Sequence, residues 1–282
     1  LGYTVEKHNL LEVLHRQLQQ SNMAVFDNQK IENLVWGKNH ISVQLKQNKN
    51  ITSDVIVAAD GANSYVRNLA NIKAKTNYYN QIAIVCRLVG RASKAVAYQW
   101  FQKKGHVVAL LPINENEFGL VWSISEDLGL DLISKGKGLL IRELKEITSC
   151  DVGELEIVDQ PKYFPINAIH PESVIKTRLA LVGDAAGTIH PMAGQGLNLG
   201  LLDARILSDV FSKKANSSIL SILRRYERRR AEKVAIMRGI TNGLYKIFSS
   251  DVMASSYLRA YGLKIFERAP TLKKLAFKVA SN

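Results

Sequence analysis

Much of the equipment of familiar enzyme classes is missing from this chain. Its 282 residues include only two cysteines, Cys86 and Cys150, far apart and in no CxxC or zinc spacing. They read as reduced thiols of a cytosolic protein, with Cys86 a packing residue in the apolar run IAIVCRLVG. No apolar run approaches the ~18–20 residues of a spanning helix, and no segment reads as a secretory signal. No Ser–His–Asp triad pattern, internal repeat or low-complexity linker is visible. Glycine is also absent where a dinucleotide fold needs it. Gly2 stands alone, and Gly136 and Gly138 in SKGKGLL follow no strand, so there is no GxGxxG turn.

What is present suffices for a substantial core, since 46% of the residues are hydrophobic. The net charge is +13 and its placement is uneven: residues 204–282 hold 17 Lys or Arg against 5 Asp or Glu. LRRYERRRAEK reads as a helix with a basic face. TLKKLAFKVA sets Leu272, Leu275, Ala276 and Val279 on one side and Lys273, Lys274 and Lys278 on the other. A basic amphipathic tail over 258–282 suits an anionic membrane surface; a solvated face on a packed helix is the alternative for RRYERRR. Nucleic acid would tolerate the charge, but no recognition module accompanies it.

Two stretches carry the chemistry. In LVGDAAGTIHPMAGQGLNLGLLDA, residues 181–204, an apolar run ending at Val182 reads as a buried strand. Gly183-Asp184 places a carboxylate at its carboxyl end, the edge of an open α/β sheet where ligands sit. Pro191 turns the chain, Gly194, Gln195 and Gly196 leave the backbone uncovered, and Leu197, Leu201 and Ala204 have helical spacing. A helix start there favours negative charge. In ITSDVIVAADGANSYVR, residues 51–67, a second apolar strand ends in Asp60-Gly61, with Ser64 and Arg67 where a helix begins. By itself that is also how a capping aspartate looks.

Together the two stretches resemble the flavoprotein aromatic hydroxylases of the para-hydroxybenzoate hydroxylase type. DVIVAADGANSYVR looks like that family's Asp-Gly motif, and LVGDAAGTIHPMAGQGLNLGLLDA like its Gly-Asp motif, about 120 residues later. HPMAGQGLNLGLLDA, GYTVEKHNLLEVL, LLPINENEFGLVWSI and LRRYERRRAEKVAIM further resemble the ubiquinone-biosynthesis hydroxylases, with His8-Asn9 and LLP…LVW suggesting the 2-polyprenyl-6-methoxyphenol branch. The resemblance implies an FAD-dependent monooxygenase that uses NAD(P)H and O2 to hydroxylate a polyprenylated phenol in ubiquinone biosynthesis. It implies cofactor contacts at Asp60, Asp184, Pro191, Gly194, Gln195, Gly196, Leu197 and Asn198. No catalytic base is identified; His190, before a proline in a tight loop, reads as a structural hydrogen-bonding group. The chain departs from the family at Gly187, where histidine is frequent, and at His8, where many members have arginine. Another flavoenzyme of the superfamily, such as an isoprenoid reductase, and a non-catalytic membrane-binding or scaffold fragment are the alternatives.

The expected fold class is α/β (α+β): an incomplete FAD-binding Rossmann-like domain, an inserted strand-rich substrate domain and a carboxyl-terminal helical region. The segments are 1–76 with the Asp-Gly motif, 77–168 for the substrate domain, 169–212 with the Gly-Asp motif, and 213–282 for the basic helices. A helix is expected over 5–20 with Leu10, Leu11, Leu14 and Leu18 at core spacing, and strands over 23–27, 31–37, 40–46 and 54–59. Further strands are IAIVCRLV, AVAYQWFQ, HVVALLPI and FGLVWSI, followed by one short helix near 134–148. From 197 onward the chain is expected to be helical until Pro270. The absent GxGxxG turn suggests the carboxyl-terminal portion of a longer hydroxylase, expected to purify without stoichiometric FAD. A cytoplasmic enzyme peripheral on the inner face of the membrane, meeting other ubiquinone-biosynthesis proteins, completes the expectation.

Overall fold

The computed structural model describes residues 4–46, 49–90, 96–102, 105–148, 153–190, 196–213 and 217–249, with 240–249 as backbone. In chain order the elements are α1 (Lys7–Gln20), β1 (Ile31–Trp36), β2 (Ile41–Leu45), β3 (Lys49–Ser53), β4 (Ile56–Ala58), α2 (Tyr65–Leu69), β5 (Ala74–Val89) and β6 (Tyr98–Phe101). They continue with β7 (Val107–Pro112), β8 (Glu117–Ser125), α3 (Glu126–Ser134), α4 (Lys137–Thr148), β9 (Glu156–Ile157) and β10 (Lys162–Pro171). Last come β11 (Ile175–Lys176), β12 (Leu179–Leu181), a 3-10 turn (Gly183–Ala186), α5 (Gly196–Ser212) and α6 (Ile219–Ser249). They fall into two compact units, one built on the chain up to Phe26 and Tyr79–Ile166, the other on Asp27–Tyr78 and Asn167–Tyr245.

The first unit is organised by a sheet of order β10-β5-β8-β7-β6, with β9 on β5. Strand alternation sorts its residues. Ile82, Ile84, Cys86 and Leu88 of β5 share a buried face with Phe118, Leu120, Trp122 and Ile124 of β8 and with Leu132, Leu140 and Leu144 of α3 and α4. Gly129 explains how closely α3 lies on that face: a Cβ there would come within 2.6 Å of Ile82 Cδ1 and 2.8 Å of Ile124 Cγ2. Gly136, at φ +89°, ends α3 in a conformation that disfavours side chains. The helix expected near 134–148 is α4, and α3 is an additional helix ahead of it, starting at Glu126.

The second unit holds two three-stranded sheets, β1-β2-β3 and β11-β12-β4. In the latter β12 runs parallel to β4, with Leu179, Ala180 and Leu181 opposite Ile56, Val57 and Ala58. Leu179, Ala180 and Leu181 are fully buried and pack with Ile206, Leu207 and Val210 of α5 and Ile222, Leu223 and Tyr226 of α6. A continuous apolar run is what a strand covered on both faces requires.

Three expectations need correction. MAVFD at 23–27 forms no strand and exposes Met23, Val25 and Phe26; alternation alone does not make a strand without a paired edge. Helix α1 forms, yet it buries no residue, and Leu11 and Leu14 are more than half exposed, so no described element covers the expected core stripe. β3 is an additional strand between the expected ones. Helix α5 forms where Leu197, Leu201 and Ala204 have helical spacing, with its burial on Asp203, Ile206, Leu207 and Val210. The basic tail at 258–282, Pro270 and Cys150 lie outside the described residues.

Candidate functional site

The two aspartates of the motifs stand at the carboxyl ends of adjacent parallel strands. Val182 N–H donates to Ala58 O at 2.9 Å, so the β12–β4 ladder runs to the edge where both loops begin. Beyond it the loops differ. Asp60 Oδ1 accepts from the Ser64 hydroxyl at 2.6 Å and Oδ2 accepts from the Val66 N–H at 3.0 Å. Ser64 in turn caps α2 by accepting from the Arg67 N–H at 3.0 Å. The Asp-Gly motif thus folds back on its own helix start, the capping pattern legible in the sequence. Gly61, at φ +83°, gives the turn its direction.

Asp184 sits exposed in the 3-10 turn; its backbone carbonyl accepts from the Gly187 N–H at 3.1 Å, while its carboxylate accepts no hydrogen bond among the described residues. The turn around it is held from several sides. Gly183 N–H donates to Asp203 Oδ2 at 2.9 Å. Arg67, 6% exposed, reaches across from the Asp-Gly loop, donating from Nη1 to Ala185 O at 3.1 Å and from Nη2 to Ala62 O at 2.9 Å. Thr188 locks the far side: its N–H donates to Ile169 O, its Oγ1 accepts from the Ile169 N–H, and its hydroxyl donates to Asn167 O. Gly187 has φ +122°, and a Cβ there would lie 2.7 Å from Ile169 O. The departure from histidine at this position is thereby explained: no side chain fits.

Helix α5 starts beside this turn because two glycines let the backbones meet. A Cβ on Gly200 would lie 3.4 Å from Gly183 Cα. Gly196, Leu197 and Asn198 form the exposed first turn of α5. Gly196 has no positive φ, and open space surrounds the place a Cβ would take. Its backbone angle does not demand glycine, and nothing among the described residues packs against it. Pro191, Gly194 and Gln195 lie outside the described residues.

His190 is 2% exposed, and burial pushes its pKa down to about 4. The ring is neutral at ordinary pH, which fits a structural group better than a proton donor. The buried Asp203–Arg230 pair, joined at 2.9 Å, has no counterpart among the expected site residues. Burial raises the Asp203 pKa, while Arg230 and the Gly183 N–H pull against that rise. The signal was present in the sequence: Asp203 shares the buried stripe of α5 with Ile206, Leu207 and Val210. Arg67 was visible only as the end of the Asp-Gly motif.

Over residues 3–238 the chain matches the family described as FAD binding domain. The chain belongs to that family. It is similar to the 3-demethoxyubiquinol 3-hydroxylase of Escherichia coli (strain K12), 31% identical across 99% of this chain and 73% of that protein. It is similar also to the mitochondrial ubiquinone biosynthesis monooxygenase COQ6 of Drosophila melanogaster, 30% identical across 86% of this chain and 58% of that protein. Among solved structures, Klebsiella pneumoniae HpxO complexed with FAD and uric acid shares the fold with a TM-score of 0.69 at 19% identity, covering 97% of this chain and 69% of that one. The chain spans 58% and 73% of the length of the two curated relatives.

The described residues fit the cofactor of the FAD-binding family. A carboxylate with both oxygens available suits sugar-like hydroxyls, and the exposed start of a helix suits an electron-rich edge. Among the described residues there is no cluster that could hold a metal ion. Nor is any helix long and apolar enough to cross a membrane.

Proposed function

We propose that this chain is the flavin-contacting part of an FAD-dependent monooxygenase that hydroxylates a polyprenylated phenol ring in ubiquinone biosynthesis, using NAD(P)H and O2. The observation that carries the reading is the available carboxylate of Asp184, at a parallel-strand end beside the start of α5. The names of the relatives supply the substrate class.

In this reading Asp184 accepts from ribityl hydroxyls, and Asp60 acts indirectly by shaping the loop that Arg67 ties to the Gly-Asp turn. The backbone of Gly196, Leu197 and Asn198, continuing from Pro191, Gly194 and Gln195, faces the pyrimidine edge of the flavin. The positive end of α5 contributes about 0.3–1 kcal/mol toward negative charge there when exposed, and up to ~2 kcal/mol when partly buried. Bound there, FAD would supply the redox and oxygen chemistry; the protein supplies position and a shielded surface. His190, neutral at ordinary pH, serves as a structural group rather than as the proton donor.

The substrate sheet supports a flat apolar ligand. Val85, Val121 and Ala109 lie side by side on the face opposite the α3–α4 core, next to Gly119 and Leu111. These apolar residues in register would offer a strip to a prenyl chain, bordered by Arg87 opposite Gly119. On α6, exposed Arg224, Arg228 and Arg229 suit an anionic membrane, where such a substrate resides. The segments 1–76, 77–168, 169–212 and 213–282 would then serve as flavin, substrate, flavin and membrane-facing parts.

The test uses the protein expressed from its complete reading frame, supplied with FAD, NAD(P)H and a polyprenylated phenol. Mass spectrometry is expected to find a product heavier by one oxygen. A product heavier by two hydrogens would overturn this reading in favour of an isoprenoid reductase.

A further inference from the structure

Helix α6 entered the sequence analysis as a basic surface, yet its inner face is occupied differently. Tyr226, fully buried, donates its hydroxyl proton to Leu181 O at 2.7 Å, the last residue of β12. One residue later Glu227 accepts from the Ser173 hydroxyl at 2.7 Å and the Val174 N–H at 3.2 Å, just ahead of β11. One turn after Tyr226, Arg230 donates from Nε to both oxygens of Asp203, at 2.9 and 3.0 Å. Asp203 passes the hold on to the Gly183 N–H at 2.9 Å. The side chains of Arg230 and Asp203 are 7% and 1% exposed.

A buried ion pair is a poor device for stability, because apolar residues of the same size often do as well or better. Its geometry here is specific in another respect. Arg230 fixes the Asp203 carboxylate in one plane, and that plane sets the direction of the Gly183 N–H. Gly183 is at φ +59°, and the next residue is Asp184. Tyr226 fixes the carbonyl two residues before Gly183. The chain on both sides of the turn is thus held by side chains one helical turn apart on α6.

We infer that Tyr226, Arg230 and Asp203 are positioning residues for the cofactor, holding the Gly183–Asp184 turn so that the Asp184 carboxylate points outward to its ligand. The inference rests on the flavin reading of the site and assigns roles to three residues outside the expected cofactor contacts. α6 then serves two purposes, with arginines on its outer face and the turn's clamp on its inner face. The clamp touches no ligand; it acts through Asp184.

The experiment uses the protein from its complete reading frame, as wild type and as the Asp203→Leu/Arg230→Met double variant, which leaves no orphaned charge. FAD affinity is measured by flavin fluorescence well below the unfolding midpoint, and stability by urea unfolding. The double variant is expected to unfold near the wild-type midpoint while its FAD Kd rises at least tenfold and the visible flavin dichroism changes. A smaller rise overturns the inference. Should that variant not fold, Asp203→Asn and Tyr226→Phe decide through amide exchange at Gly183, expected at least tenfold faster than in wild type. Exchange unchanged in both overturns the inference. A wild type that takes up no FAD overturns the flavin reading instead, and the Gly183 exchange still decides the clamp.

Discussion

Asp60 and Asp184 follow neighbouring parallel strands, each beside a glycine and each ahead of a helix. Asp60 has both oxygens committed, to the Ser64 hydroxyl and the Val66 N–H, and so builds the loop it belongs to. Asp184 has neither committed among the described residues, because its turn is held by others: Asp203 at Gly183, Arg67 at Ala185 and the Thr188 contacts with β10. The difference lies in what surrounds each carboxylate. A serine four residues on and a helix N–H six residues on capture Asp60, whereas the turn after Asp184 is drawn toward β10 and leaves the carboxylate outside. One aspartate shapes, and the other is kept available.

The harshest way to break this contrast is to cut the tie between the loops. Arg67→Leu removes two hydrogen bonds from a buried charged group, each worth about 1.5–3 kcal/mol. A stability loss of roughly 3–5 kcal/mol is expected in urea unfolding, together with weaker FAD binding. A variant as stable as wild type would show that the loops do not depend on one another.

Acid should act on the Gly-Asp side through His190. His190 has its pKa lowered to about 4 in the folded protein, from 6.5. Between those values the unfolded chain binds the extra proton, so stability is whole above about pH 6.5 and falls as pH drops toward 4. The loss reaches about 3 kcal/mol across that window. His190→Gln should flatten the difference in slope when urea midpoints are compared from pH 7 to pH 4. Identical slopes would remove His190 as the cause.

The finest discrimination comes from the aspartates themselves. Asp184→Ala is expected to leave stability within about 0.5 kcal/mol, as at other exposed sites, while FAD affinity falls roughly tenfold or more. Asp60→Ala should do the reverse, lowering stability by about 1 kcal/mol through the lost cap with a smaller change in affinity. Equal responses from both would mean that the two carboxylates share one role.

The sequence revealed most where pattern and local chemistry coincide. The β4 and β12 strands, both motifs, the β7–β8 hairpin and α5 were all legible, because apolar runs and glycine turns report on the chain itself. Less legible was whatever depends on a distant partner. α3 was hidden by Gly129, a poor helix former retained because Ile82 and Ile124 lie under it. The stripe on α1 and the alternation in MAVFD promised burial that no described element supplies. Asp203 and Arg230 are 27 residues apart and become a pair only once α5 and α6 pack. Asp60 could be read as cap or as cofactor contact, and its two oxygens meet the Ser64 hydroxyl and the Val66 N–H at the start of α2.

Cys86 gives the large sheet of the first unit a chemical clock. It is 4% exposed in β5, and burial pushes its thiol up to about 12. At pH 8 only about one thiol in ten thousand is a thiolate, and the reagent cannot reach it while β5 stays paired with β8. Alkylation of Cys86, followed by peptide mass mapping, therefore advances only in the moments when the strands part. Its rate reports how frequently that sheet breathes, and a ligand resting on the sheet's other face would slow it.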